Sequence, residues 1–252
     1  MPSPSIIRVI DLETTGQAPP AHGVCEIGWQ DVVLGDDGRW EVDANGGGAM
    51  LVNPGRPIPP LTMAIHHIRD EDVADAPWWH DCARPVLDPW PRRVALAAHR
   101  ADFEMKFCTP ALTRGADWIC TWKCALRLWP ESASFSNQFL RYWRHPDGLE
   151  HERGLPAHRA GPDAYVTAYH LRDMLNLTSV AQLIDWSNLP GLLPRVRNGP
   201  DRGKDWRDLD DDVLRVYAAD RDPDVRYTAE QEIIRRRGGD DYDRTPRQQA
   251  LF

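Results

Sequence analysis

At 252 residues, with 42% hydrophobic and 27% charged residues, the chain has the make-up of an ordinary globular protein and is long enough for one full core and a small second unit. No apolar run approaches the ~20 residues that cross a bilayer, and the N-terminus lacks a signal-peptide layout, so no membrane partner and a cytoplasmic location are expected. A net charge of -8 excludes a protein that holds nucleic acid by overall charge and leaves room only for a local basic channel. Candidates for that channel are Arg92, Arg93, Arg100, Lys106, Lys123, Arg127, Arg141, Arg144 and Arg159. The five cysteines, Cys25, Cys82, Cys108, Cys120 and Cys124, contain no Cys-x-x-Cys pair, which argues against a zinc knuckle or a disulfide framework and for buried reduced thiols.

In chain order, the apolar run Ile6-Ile7-Arg8-Val9-Ile10 reads as a buried strand that leads into Asp11-Leu12-Glu13-Thr14-Thr15-Gly16. An i, i+2 pair on a strand points to one face, so Asp11 and Glu13 would stand side by side, an expensive arrangement without a cation between them. Val24 to Leu34 and Trp40 to Val52 read as two more strands, joined by the turn-rich Gly35-Asp36-Asp37-Gly38. Val94 to Ala98 is a short all-apolar strand of the doubly buried kind, followed by His99-Arg100-Ala101-Asp102-Phe103-Glu104 and a helical stretch from Asp102. Asp117 to Cys120 reads as a last strand. Ala157 to Leu175 reads as the last core helix, with Ala164, Ala168, Leu171 and Leu175 at helical spacing. His158 and Asp163, five apart in that helix-like segment, are separated by roughly one and a half turns. The expected architecture is α/β, a mixed sheet flanked by helices with the acids at strand ends and on a facing helix.

Taken together, Asp11 with Glu13, then Glu104, then His158 with Asp163 resemble the DEDDh group of 3'-to-5' exonucleases, whose core is ribonuclease H-like. The connecting segments Arg56-Pro57-Ile58-Pro59, Met63-Ala64-Ile65-His66, Val73 to Trp78, Asp117 to Thr121 with Lys123, and Arg127-Leu128-Trp129-Pro130 through Ser136-Asn137 look like the exodeoxyribonuclease X branch of that family. The resemblance implies that Asp11, Glu13, Glu104 and Asp163 hold two magnesium or manganese ions, and all-oxygen ligands suit those ions rather than zinc. It implies His158 as the base that takes the proton of the attacking water. It also implies that Leu12, Thr14, Thr15, His99, Arg100 and Phe103 meet the terminal nucleotide, though a core position for Leu12 is an equal reading. Any of Trp78, Trp79, Trp118, Trp122, Trp129 and Trp143 could stack a base or fill the core.

The second motif departs from the family's usual His-Asn-Ala-x-Phe-Asp. Arg100 replaces the asparagine, Glu104 replaces the aspartate, and Asp102 is an extra acid. Residues two apart on a helix point about 200° apart, so Asp102 and Glu104 cannot both face one site, and spacing from His99 and Phe103 favours Glu104.

Past Asn176 the composition changes, which suggests an exonuclease domain over 1–177, a small mainly helical C-terminal domain over 178–238 and a tail over 239–252. In the C-terminal domain, Arg202-Gly203-Lys204 and Trp206 are what remains of a basic turn followed by an aromatic in the related branch. In the tail, Gln248 three positions before Leu251-Phe252 resembles the short peptide by which bacterial repair proteins hang on the sliding clamp. The expected activity is 3'-to-5' removal of mononucleotides from DNA ends, single strands included, in repair or end trimming. An RNA-trimming enzyme and a decayed nucleic-acid-binding relative are the alternatives, and oligomeric state is left open.

Overall fold

In the computed structural model, which describes residues 5–238, the chain folds into two compact units. One comprises residues up to 121 together with 136–184, and the other comprises 122–135 together with 185 onwards. The sequence expectation of a boundary near 177 does not anticipate that the second unit recruits an internal segment. The tail residues Gln248, Leu251 and Phe252 lie outside the described residues.

The larger unit is built on a five-stranded mixed sheet. Its strands are β1 (Ile6–Thr14), β2 (Val24–Leu34), β3 (Trp40–Leu51), β4 (Ala95–Ala98) and β5 (Trp118–Cys120), in the order β3-β2-β1-β4-β5. β1, β2 and β3 pair antiparallel, while β1 with β4 and β4 with β5 pair parallel. Ile7, Val9 and Ile10 of β1 and all of β4 are buried, as their apolar runs require of strands covered on both faces. The hairpin turn at Gly35–Gly38 closes where the cluster of glycines and aspartates places it, with Gly38 at φ 79°.

The helices are α1 (Pro60–His66), α2 (Asp70–Val73), α3 (Trp79–Leu87), α4 (Glu104–Phe107), α5 (Pro110–Thr113), α6 (Thr121–Leu128), α7 (Asn137–Arg144), α8 (Ala160–Leu175), α9 (Val180–Asn188), α10 (Asp211–Tyr217) and α11 (Pro223–Arg236). α8 lies across β1, β2 and β3. Its approach depends on Gly28 of β2, where an added Cβ would sit 2.1 Å from the Ala160 carbonyl carbon. Because Gly28 is paired with Asp11 in the β1–β2 register, this close contact carries the first turn of α8 over the end of β1 that bears Asp11 and Glu13. Beneath the sheet's far end, Asp31 accepts bonds from Arg8 at 2.8 Å and Arg93 at 2.6 Å, a buried ionic cluster that fixes β2 to β1 and to the segment before β4.

In the second unit, the fully buried Arg127 donates to the Lys123 and Pro190 carbonyls at 3.1 and 3.0 Å. Asp224 and Thr228 of α11 accept from the backbone N–H groups of Gly191 and Leu193. Trp206, buried, stacks edge-on against Tyr217, so the aromatic retained after the Arg202-Gly203-Lys204 turn belongs to this unit's core. No helix among the described residues is long and apolar enough to cross a membrane. All five cysteines are buried free thiols.

Candidate active site

Asp11 and Glu13 project from one face of β1, and Asp163 descends from the first turn of α8. One carboxylate oxygen from each lies within 4.8 Å of the others. Glu104, the first residue of α4, adds a fourth carboxyl that is 4% exposed. Burial raises all four titrations, and repulsion from neighbouring acids adds to it at Asp11, Glu13 and Glu104. Burial foremost, then Asp163, Glu13 and Glu104, push the Asp11 carboxyl well above the usual range. Burial, then Asp163 and Glu26, raise Glu13 to about 8, although Arg159 opposes this. Burial raises Glu104 to about 8, with Glu13 contributing.

This donor set fits a hard divalent cation. The donors are all carboxylate oxygens, and the Oε2 atom of Glu104 is buried with no hydrogen-bond partner among the described residues, an unmet bond that a cation or its coordinated water would satisfy. A cation between the carboxylates also removes the repulsion that otherwise keeps them protonated.

Asp163 is held more tightly than its neighbours. Its Oδ2 accepts the backbone N–H of His158 at 2.7 Å, and its Oδ1 accepts the Gln138 side-chain amide at 2.7 Å. Asn137 donates to the Asp163 carbonyl at 3.1 Å. His158 is exposed and sits at φ 61°, a left-handed conformation incompatible with a helix. The expected helix from Ala157 therefore begins only at Ala160, and His158 is presented from the loop before it. Glu26, buried on β2 opposite Glu13, caps the start of α8 by accepting the Ala160 N–H at 2.9 Å and pairs with Arg159 at 2.6 Å.

Over residues 9–171, the sequence matches the family described as exonuclease, of the ribonuclease T type. The chain belongs to this exonuclease family. The exonuclease is 34% identical over 220 residues to exodeoxyribonuclease 10 of Escherichia coli strain K12, spanning 86% of this chain and 87% of that protein. A solved structure of exonuclease X in complex with 5' overhanging duplex DNA matches at 34% identity and a TM-score of 0.59, over 72% of this chain and 99% of the other. E. coli exonuclease I in complex with a dA16 oligonucleotide shares the fold, at 15% identity and a TM-score of 0.52, over 72% of this chain and 42% of that one. The mixed sheet flanked by helices is thus the ribonuclease H-like fold of these enzymes. Family membership makes the exonuclease a nucleic-acid hydrolase and implies divalent-metal dependence, in keeping with the acidic cluster.

Glu104 is buried towards the cluster, whereas Asp102 is exposed in the turn that precedes α4, so the second motif starts as a turn rather than as a helix from Asp102. Leu12 is only 5% exposed, its side chain taken up by the interior because it points away from Asp11 and Glu13. Thr14 and Thr15 are also buried, and their hydroxyls bond Gly16 and Gly23 to hold the loop after β1. His99 bonds Thr121 through Nδ1 at 3.0 Å, while Arg100 is exposed with φ 71° and Phe103 packs against Phe107.

Of the basic-channel candidates, most are committed elsewhere. Arg93, Arg144 and Arg159 pair with Asp31, Asp173 and Glu26, Arg127 and Arg141 are buried, and Lys123 donates to the Ser187 carbonyl. Arg92, Arg100 and Lys106 are the exposed members of the set. Trp118, Trp122 and Trp129 are core residues, whereas Trp78 and Trp143 present surface. Sequence reasoning missed Glu26, Gly28 and Gln138. For Gly28 the available signal was a glycine in the interior of a strand, but a polar residue such as Gln138 on an amphipathic helix carries none.

Proposed function

We propose that the protein is a divalent-metal-dependent exodeoxyribonuclease that removes mononucleotides from DNA 3' ends. The observation that carries this reading is the convergence of Asp11, Glu13 and Asp163 within 4.8 Å beside the unpartnered Oε2 of Glu104, in a chain related to exodeoxyribonuclease 10 along most of its length. In this reading Asp11, Glu13, Glu104 and Asp163 hold two magnesium or manganese ions. When bound, such ions supply an activated water and neutralise charge on the leaving 3'-oxygen. His158 accepts the proton of the attacking water, and its hydrogen-bonded backbone N–H keeps it adjacent to Asp163. Arg100 and Lys106, exposed and close in sequence to Glu104, are candidates to receive the phosphates of the departing strand.

Incubating the purified chain with end-labelled single-stranded DNA, duplex DNA and RNA, in magnesium and in chelator, tests this. Loss of DNA mononucleotides from the 3' end only with metal is the expected result. Preferential RNA trimming would move the assignment to an exoribonuclease, and binding without cleavage would mark a decayed site. The stretch from Gln248 to Phe252 is proposed, on its sequence alone, as a sliding-clamp ligand. Titrating the clamp against the full chain and a version without residues 248–252 decides it, since equal binding by both removes the idea.

A further inference from the structure

The carboxylate of Asp163 does not reach the acidic cluster unsupported. Gln138, the second residue of α7, donates its side-chain amide to Oδ1 at 2.7 Å, and Gln138 is itself oriented because its Oε1 accepts from Arg141 Nη1 at 3.2 Å. Arg141 is 3% exposed and has no carboxylate partner among its described bonds. It donates instead to the carbonyls of Gly154 at 2.7 Å and His151 at 2.5 Å. Gly154 is required for this, since a Cβ there would lie 2.7 Å from the same guanidinium nitrogen. The turn that Arg141 grips runs on to His158, whose N–H returns to Asp163 Oδ2. A closed circuit of hydrogen bonds and backbone therefore passes from Arg141 through Gln138 to Asp163 and back along residues 151–158.

We propose that Gln138 is a positioning residue of the metal site: it fixes the rotamer of Asp163, and Arg141 behind it sets Asp163 and the loop carrying His158 in one frame. The physical basis is that a carboxylate held by directional donors at both oxygens loses little further freedom on taking a cation, whereas an unheld one must be ordered at the moment of binding. The proposal rests on the reading of Asp163 as a metal ligand.

The test is Mn2+ binding to the full chain by titration calorimetry, with turnover on single-stranded DNA measured in parallel. Gln138→Met keeps the length of the side chain and removes the donor. It is expected to weaken Mn2+ binding about 10- to 100-fold and to lower kcat while leaving KM for DNA within about twofold. In an Asp163→Asn background the same change is expected to alter Mn2+ affinity less than about twofold, because the carboxylate that Gln138 positions is already gone. Unchanged affinity in Gln138→Met, or losses that add in the double variant as general damage to the fold would make them, overturns the proposal. If Asp163→Asn alone binds Mn2+ like the wild type, the ligand reading fails instead, and the proposal with it.

Discussion

The chemistry of each acid depends on where its side chain is aimed, and Glu104 and Asp102 are the sharpest contrast. Glu104 is buried with an unpartnered oxygen, while Asp102 is exposed two residues away. Glu104→Gln is expected to lower kcat at least about tenfold further than Asp102→Asn, read from steady-state rates on single-stranded DNA. The reverse order would place the ligand at Asp102. His158→Ala is expected to cost about 10²- to 10⁴-fold in kcat, the range of a lost general base, with Mn2+ affinity largely kept. At this scale the sequence was most informative for residues whose spacing is tied to regular structure. The i, i+2 pair on β1 was legible because alternation on a strand leaves no choice of face. The backbone of His158 was not, since a left-handed residue five positions from Asp163 has the same spacing as a helical one. Nor could spacing say that Thr14 and Thr15 spend their hydroxyls on the loop after β1.

Among the elements, α8 and β2 decide whether the site exists. Gly28→Ala places a methyl inside the Ala160 carbonyl, where neither backbone can yield cheaply. It is expected to destabilise the chain by about 1–3 kcal/mol in urea unfolding and to weaken metal binding, because α8 can relieve the clash only by lifting Asp163 away from Asp11. Retained stability and metal affinity would show that the helix approaches differently. Asp31 is the shared acceptor of two buried guanidinium groups, Arg8 and Arg93. Asp31→Asn leaves both without their counter-charge, and about 3–5 kcal/mol of stability is the expected loss by the same measurement. The limits of β2 and β3 were nearly readable from the sequence because the glycine- and aspartate-rich turn at 35–38 separates them. The start of α8 was not, and the reason lies in tertiary contacts, since Glu26, more than 130 residues away in the chain, supplies the cap. Likewise, charge counting made basic-channel candidates of Arg93, Arg127, Arg141 and Arg159, whose bonds within the fold become visible only once distant carboxylates and carbonyls are placed around them.

For the whole molecule, the acidic cluster ties stability to pH and metal. Glu13 and Glu104 are each raised to about 8 in the folded, metal-free chain, so the folded state binds protons more tightly than the unfolded state. Their contribution is fully present below the ordinary carboxylate range and is lost as pH rises towards about 8. In chelator, Tm is therefore expected to fall between pH 5.5 and 8.5. The rise in Tm on adding magnesium is expected to grow over the same interval, as the cation replaces protons that are leaving. A magnesium effect independent of pH would mean that it binds elsewhere. Recruitment of residues 122–135 into the second unit rests on contacts such as Arg127 with the Pro190 carbonyl, which leave no local mark in the sequence. The central claim is that the cluster of Asp11, Glu13, Glu104 and Asp163 hydrolyses DNA from its 3' end, and it is tested most directly by following one single-stranded oligonucleotide labelled separately at each end. In magnesium, the 3' label is expected to leave first as a mononucleotide while the 5'-labelled strand shortens one step at a time, with both processes abolished by chelator and by Asp11→Asn. Cleavage that persists in Asp11→Asn with magnesium, or that yields internal fragments, would contradict it.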